Sequence, residues 1–123
     1  MPPRKVSLQQ LNDRLSRFRQ INLTVTGRKS GKPSSRPVWF VFEDPTLYLL
    51  PVQGSDTQWY KNLLADPRLR INARGTEAEL TATPITDRMQ VADVVEKFRE
   101  KYGAADVKKY YSTFDVAVRA VLP

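Results

Sequence analysis

Between Gly27 and Pro33 the chain reads Gly-Arg-Lys-Ser-Gly-Lys-Pro. Three cations, one hydroxyl and the backbone N–H groups freed by two glycines suit a phosphate or a carboxylate. The stretch is not a P-loop. Only three residues separate the glycines, and Pro33 follows the lysine where Ser or Thr is needed. A solvated hairpin loop is the plainer reading, but Arg36 adds a fourth cation just downstream and favours an anion site. A second candidate is Pro51-Val52-Gln53-Gly54-Ser55, a strand end running into a helix start, where exposed N–H groups could receive an anion or a ring carbonyl. Trp59-Tyr60-x-Asn62 follows, with an amide in the middle of a short apolar helix. A third candidate is the aromatic set Tyr102, Tyr110, Tyr111 and Phe114, which either packs the core or walls a groove for a flat ring. A tyrosine hydroxyl there could also donate a proton.

What is missing narrows the chemistry further. The 123 residues include no cysteine and no histidine. Disulfides, thiolate metal sites, the usual zinc sites and Ser-His triads are excluded, as is any base that titrates near neutrality without perturbation. An enzyme of this composition would place its hard chemistry on a cofactor. The net charge is +7, and its placement is uneven. Residues 1–36 carry nine basic side chains and one acidic one, whereas residues 37–123 carry eleven and twelve. The whole excess lies in the first third, which points to an anionic partner. No apolar run approaches a membrane span and no signal-peptide core is visible, so the reading is a cytoplasmic protein without an integral membrane segment.

The elements that must hold these residues follow from periodicity. Residues 1–5 read as a disordered tip. Leu8, Leu11, Leu15 and Phe18 define a helix over about 7–19, capped by Ser7 and Gln10. Ile21, Leu23 and Val25 alternate with polar residues and predict a strand. Residues 34–43 predict one continuous strand, apolar at every position from Val38 to Phe42 and so covered on both faces. Leu47–Val52 is its hairpin partner. Ser55 or Asp56 caps a helix bearing Trp59, Tyr60, Leu63 and Leu64. Strands at 68–74 and 76–83 form a hairpin in which Arg70 and Arg74 can pair with Glu77 and Glu79. Thr86 caps a third helix with Val91, Val94, Val95, Phe98 and Tyr102 on its buried stripe, ended by Gly103. A last strand runs through Val116, Val118, Ala120 and Leu122. The expected fold is mostly β (α+β): one domain over 1–123, a six-stranded, mainly antiparallel barrel with three flanking helices.

Three motifs in this order carry a family resemblance: Thr26-Gly27-Arg28-Lys29-Ser30-Gly31-Lys32-Pro33, then Pro37-Val38-Trp39-Phe40, then Trp59-Tyr60-x-Asn62-Leu63-x-Ala65-Asp66-Pro67. Together they resemble the deazaflavin-dependent nitroreductases, whose fold is a split β-barrel related to flavin-binding pyridoxamine-phosphate-oxidase proteins. The resemblance spans Leu23 to the last strand. It implies binding of coenzyme F420, an anionic deazaflavin with a phosphate and an oligoglutamate tail. FMN is the alternative cofactor. It also implies hydride transfer to a small organic substrate: a nitroaromatic, a quinone or an activated alkene. By the same resemblance Arg28, Lys29 and Ser30 hold phosphate and tail, with Arg36 beside them. Pro37, Val38 and Trp39 line the ring, and Val52, Gln53 and Gly54 meet its polar edge or the phosphate. Trp59 and Asn62 close the site, and Tyr110 faces the substrate. Gln53 and Ser34 stand where the family commonly has a lysine and an arginine. A non-catalytic flavin, deazaflavin or flat-ligand carrier of the same fold is the second reading. A nucleic-acid binder is a distant third, since no helix-turn-helix, RNP or zinc pattern is present. The oligomeric state expected is a monomer or a homodimer.

Overall fold

A computed structural model describes residues 3–122. Eight strands form two antiparallel four-stranded sheets. The first contains β1 (Ile21–Thr26), β2 (Pro33–Val38), β5 (Arg68–Ala73) and β6 (Thr76–Thr81), in the order β2-β1-β5-β6. The second contains β3 (Phe40–Glu43), β4 (Thr46–Leu49), β7 (Thr83–Ile85) and β8 (Ala117–Val121), in the order β3-β4-β8-β7. The expected single barrel of six strands is therefore corrected: the sheets do not close into a barrel.

The two additional strands come from two predicted strands that each break and change sheets. The run 34–43 divides at Trp39, with β2 paired to β1 on one side and β3 paired to β4 on the other. The run 76–83 divides in the same way at Ala82, where the Ala82 N–H donates to the Pro67 carbonyl at 2.8 Å. Corner residues of this kind keep the apolar pattern of a continuous strand, because each half still faces a core.

Two apolar cores result. Phe40, Leu47, Leu49 and Val118 face the first, together with Leu23, Ile71, Trp59 and Leu63 from the other sheet and helix α2 (Gln58–Ala65). Val41 and Ala117, on the opposite face of the second sheet, meet Val94, Val95, Phe98 and Tyr102 of helix α3 (Arg88–Tyr102). The expectation that the Val38–Phe42 region is covered on both sides holds at Phe40 and Val41. Each fully buried aliphatic or aromatic side chain contributes about 1.5–3 kcal/mol.

Helix α1 spans Pro3–Arg17, so residues 3–5 are helical where a disordered tip was expected, and residues 1–2 lie outside the described residues. Proline suits a first turn, and Ser7 falls inside the helix instead of capping it. Leu11 and Leu15 are buried as read; the side chain of Leu8 lies outside the described set. In α2, Leu64 faces solvent, against expectation. The N-cap of α3 is Asp87 in place of Thr86, its carboxylate accepting the Gln90 N–H at 3.0 Å. Gly103 ends α3 at φ 96°, a left-handed value that only glycine adopts cheaply. Helix α4 (Ala104–Tyr110) follows where no helix was expected: with one buried residue, Val107, it has too little periodic signal. Arg70 pairs with Glu79 at 3.3 Å as expected, but Arg74 instead lies over the Phe18 ring at 4.8 Å.

Helix α1 is fastened to the β5–β6 turn by one guanidinium. Arg14 Nη1 serves the carbonyls of Ala73 (2.9 Å) and Arg74 (2.6 Å) and the Thr76 hydroxyl (2.8 Å). Arg14→Ala should lower the unfolding free energy by about 1–2 kcal/mol in urea titrations, the scale of charge-assisted hydrogen bonds lost together.

Candidate functional site

A cavity of about 620 Å³ opens where the chain passes from the first sheet to the second. The end of β2 supplies Arg36, Pro37 and Val38, and the corner itself supplies Trp39. The segment after β4 supplies Val52 and Gln53, α2 supplies Trp59, and the end of α4 supplies Tyr110. Eight of the thirteen residues expected at the site thus converge on one wall system. Arg36 is the single charged side chain among those lining the cavity.

Trp39 is fixed by the helix behind it. Its ring stacks on Tyr102 with centroids 4.2 Å apart and planes 5° from parallel. Tyr110 meets it edge-on at 5.5 Å and Tyr111 at 6.0 Å. Arg19 covers the Tyr102 ring at 4.9 Å. The Tyr102 hydroxyl accepts the Phe40 N–H at 3.1 Å and lies 2.8 Å from the Phe40 carbonyl and 2.7 Å from the Arg19 carbonyl, one of which takes its proton. Burial pushes the Tyr102 phenol up to about 12, so it remains a donor across the working pH range. The stack therefore gives the cavity a flat, rigid aromatic wall.

The basic loop reaches the cavity rim through side-chain amides. Arg28 donates from its guanidinium to Gln58 Oε1 at 2.9 Å and to Asn62 Oδ1 at 2.8 Å, and its backbone N–H also donates to Asn62 Oδ1 at 3.1 Å. Gln58 lines the cavity, whereas Asn62 is buried behind it. Asn62 in mid-helix is thus a clamp on the loop. The loop's own shape is tight: the Gly27 N–H bonds the Lys32 carbonyl at 2.8 Å, and Ser30 Oγ accepts the Lys32 N–H at 3.1 Å. A Cβ on Gly27 would lie 2.8 Å from Ser30 Oγ. Lys29, Lys32 and Arg36 form no ion pair or side-chain hydrogen bond among the described residues, so these cations stay available to an anion.

The turn after β4 behaves differently from its sequence reading. Its N–H groups are already taken: Gln53 donates to Thr57 Oγ1 (2.8 Å), Gly54 to the Pro51 carbonyl (3.1 Å), and Ser55 to Asp115 Oδ1 (3.0 Å). Ser55 Oγ donates to Asp115 Oδ2 at 2.6 Å. Gly54, at φ 56°, has no room for a Cβ beside the Asp115 carboxylate, and it is not on the cavity wall. The anion held at this turn is the protein's own. The Ser55 hydrogen bonds hold the Asp115 carboxyl below the usual carboxylate range.

Five lining residues were not singled out as site residues from the sequence: Gln20, Leu50, Thr57, Gln58 and Tyr111. Tyr111 was visible within the aromatic set, and Gln58 by its place next to Trp59. Gln20, at the junction of α1 and β1, carries no pattern that could have revealed it. No group of three or more His, Cys, Asp or Glu side chains able to hold a metal occurs among the described residues.

The chain belongs to a known family. Residues 4–122 match the F420H(2)-dependent quinone reductases. The expected coenzyme, F420, and an oxidoreductase activity are those of this family. Solved structures share the fold at low identity. An F420-H2 dependent reductase (FDR-A) is 20% identical with a TM-score of 0.64, over 83% of this chain and 93% of that one. A chain described as a domain-swapped dimer is 19% identical with a TM-score of 0.66, over 97% and 99%. A putative pyridoxamine 5′-phosphate oxidase from Listeria innocua is 14% identical with a TM-score of 0.68, over 93% and 91%. Among the described residues no helix is long and apolar enough to cross a membrane.

Lys101 completes the support behind the wall. Its ammonium donates to the Phe40 carbonyl at 2.8 Å and lies 3.7 Å from the Phe40 ring centroid. Burial, with the Arg19 charge second, brings its pKa down to about 8. An unfolded lysine titrates near 10.4. Between about pH 8 and 10 the unfolded chain therefore binds more protons, and stability should rise with pH. Lys101→Met should abolish that rise in denaturant titrations across the window.

Proposed function

We propose that the cavity holds the ring of F420 against Trp39, and that the anionic phosphate and tail run over the basic loop. The observation that carries this reading is the junction of a flat aromatic wall with unpaired cations. Trp39 is braced at 4.2 Å by Tyr102, Arg36 lines the same cavity, and Arg28 is tied through Gln58 to its rim. A cavity of about 620 Å³ bounded by glutamine amides and one arginine fits a planar heteroaromatic ring with a charged extension leaving it. The internal pairing of Asp115 with Ser55 argues against phosphate at that turn and favours Arg28, Lys29, Lys32 and Arg36 as its holders.

When bound and reduced, F420 supplies a hydride. The chain's residues do the rest by positioning and by excluding water. Trp39 and Trp59 fix the plane of the ring. Gln53 and Gln20 offer amides to its polar edge. Tyr110, half exposed at the mouth, meets the incoming acceptor. The acceptor is a two-electron organic molecule, and a quinone is the first to test, given the family. Nitroaromatics and activated alkenes are the alternatives.

Titration of the protein with F420, with FMN in parallel, followed by cofactor fluorescence, tests the reading. Saturable F420 binding that weakens with salt is expected, with FMN weaker. Arg36→Ala should raise the F420 Kd about tenfold and flatten its salt dependence. FMN preference, or an Arg36→Ala protein that binds as wild type, would contradict the proposal.

A further inference from the structure

The Tyr111 side chain is 6% exposed and lines the cavity, wedged between Trp39, Phe98 and Phe114 with centroids 6.0, 6.0 and 6.4 Å away. Its hydroxyl bonds to no described group, although Tyr102, the other buried tyrosine of this cluster, has its hydroxyl fully engaged. Nor is that hydroxyl sealed into the core: the one enclosed, unpaired side-chain polar atom among the described residues is Asn12 Oδ1. A buried phenol left unpaired costs stability unless water or a ligand completes it. Burial pushes its pKa upward, with Tyr102 adding to the effect, so it stays protonated and keeps a neutral O–H to donate.

We infer that Tyr111 O–H is a hydrogen-bond donor to the carbonyl oxygen of the electron acceptor, and that it selects quinone-like molecules over oxygen-free rings of the same shape. The inference rests on the proposed cofactor site. Hydride addition to a quinone carbon builds negative charge on the carbonyl oxygen, and a donor fixed in the cavity wall stabilises that charge without giving up its proton. Half-exposed Tyr110 is a weaker candidate, because water competes for its hydroxyl.

Tyr111→Phe removes one oxygen and nothing else. Because that oxygen has no internal partner, the variant should melt no lower than wild type; a lower melting temperature would reveal a structural bond and overturn the inference. Calorimetric titration of the F420-loaded protein then compares menadione with 2-methylnaphthalene, the same skeleton without oxygen. Wild type should prefer the quinone by about threefold to tenfold, and Tyr111→Phe should lose that preference. The F420 Kd should stay within about twofold of wild type. A preference retained in the variant, or absent from wild type, would overturn the assignment. Failure of the wild-type protein to bind F420 would strike the proposed cofactor instead, and the same two ligands titrated into cofactor-free protein would still decide the role of Tyr111.

Discussion

The stack of Trp39 on Tyr102 is the contact on which the rest of the site depends. Trp39 sits at the residue where the chain leaves one sheet and enters the other. Such a corner gives up ladder hydrogen bonds and must be held from outside the sheets. Tyr102 does so twice: its ring braces the indole at 4.2 Å, and its hydroxyl bridges the Phe40 backbone and the Arg19 carbonyl. Helix α3 thereby fixes the start of β1, the corner and the aromatic wall as one unit. Without it the Trp39 indole would keep only its edge-on and tilted contacts with Tyr110 and Tyr111.

Charge is sorted around this frame. The carboxylate of Asp115 takes the N–H and the hydroxyl of Ser55, so the turn after β4 carries a negative charge of its own and repels a second anion. On the other side Asn62 spends its carbonyl oxygen on Arg28, and Lys29, Lys32 and Arg36 remain unpaired among the described residues. A long polyanion meeting this surface has one favourable direction, along the loop from Gly27 to Pro33.

Much of this was legible in the residues. Alternation places β1 and the β5–β6 hairpin, and the family resemblance points to eight of the thirteen residues that line the cavity. Three kinds of feature were not legible. Sheet changes at Trp39 and Ala82 leave the apolar pattern intact, so two broken strands read as continuous ones and two sheets read as one barrel. Helix α4 buries only Val107 and gives no period. Long-range pairing was invisible as well: nothing near Asp115 announces that it will occupy the turn at Gly54, and nothing in Asn62 announces a clamp on Arg28. Periodicity reports which face is buried, but not which distant group meets it.

The central claim is that Trp39, held at the sheet corner by Tyr102, is the surface on which the cofactor ring lies. The two tryptophans, Trp39 and Trp59, give two indole N–H resonances in a ¹H–¹⁵N correlation spectrum, assigned by single Trp→Phe variants. On titration with F420 the Trp39 resonance should undergo the larger ring-current shift and saturate with the cofactor's own fluorescence change. A Trp39 resonance that stays put while F420 binds would contradict the account, because the flat wall would then not be the binding face.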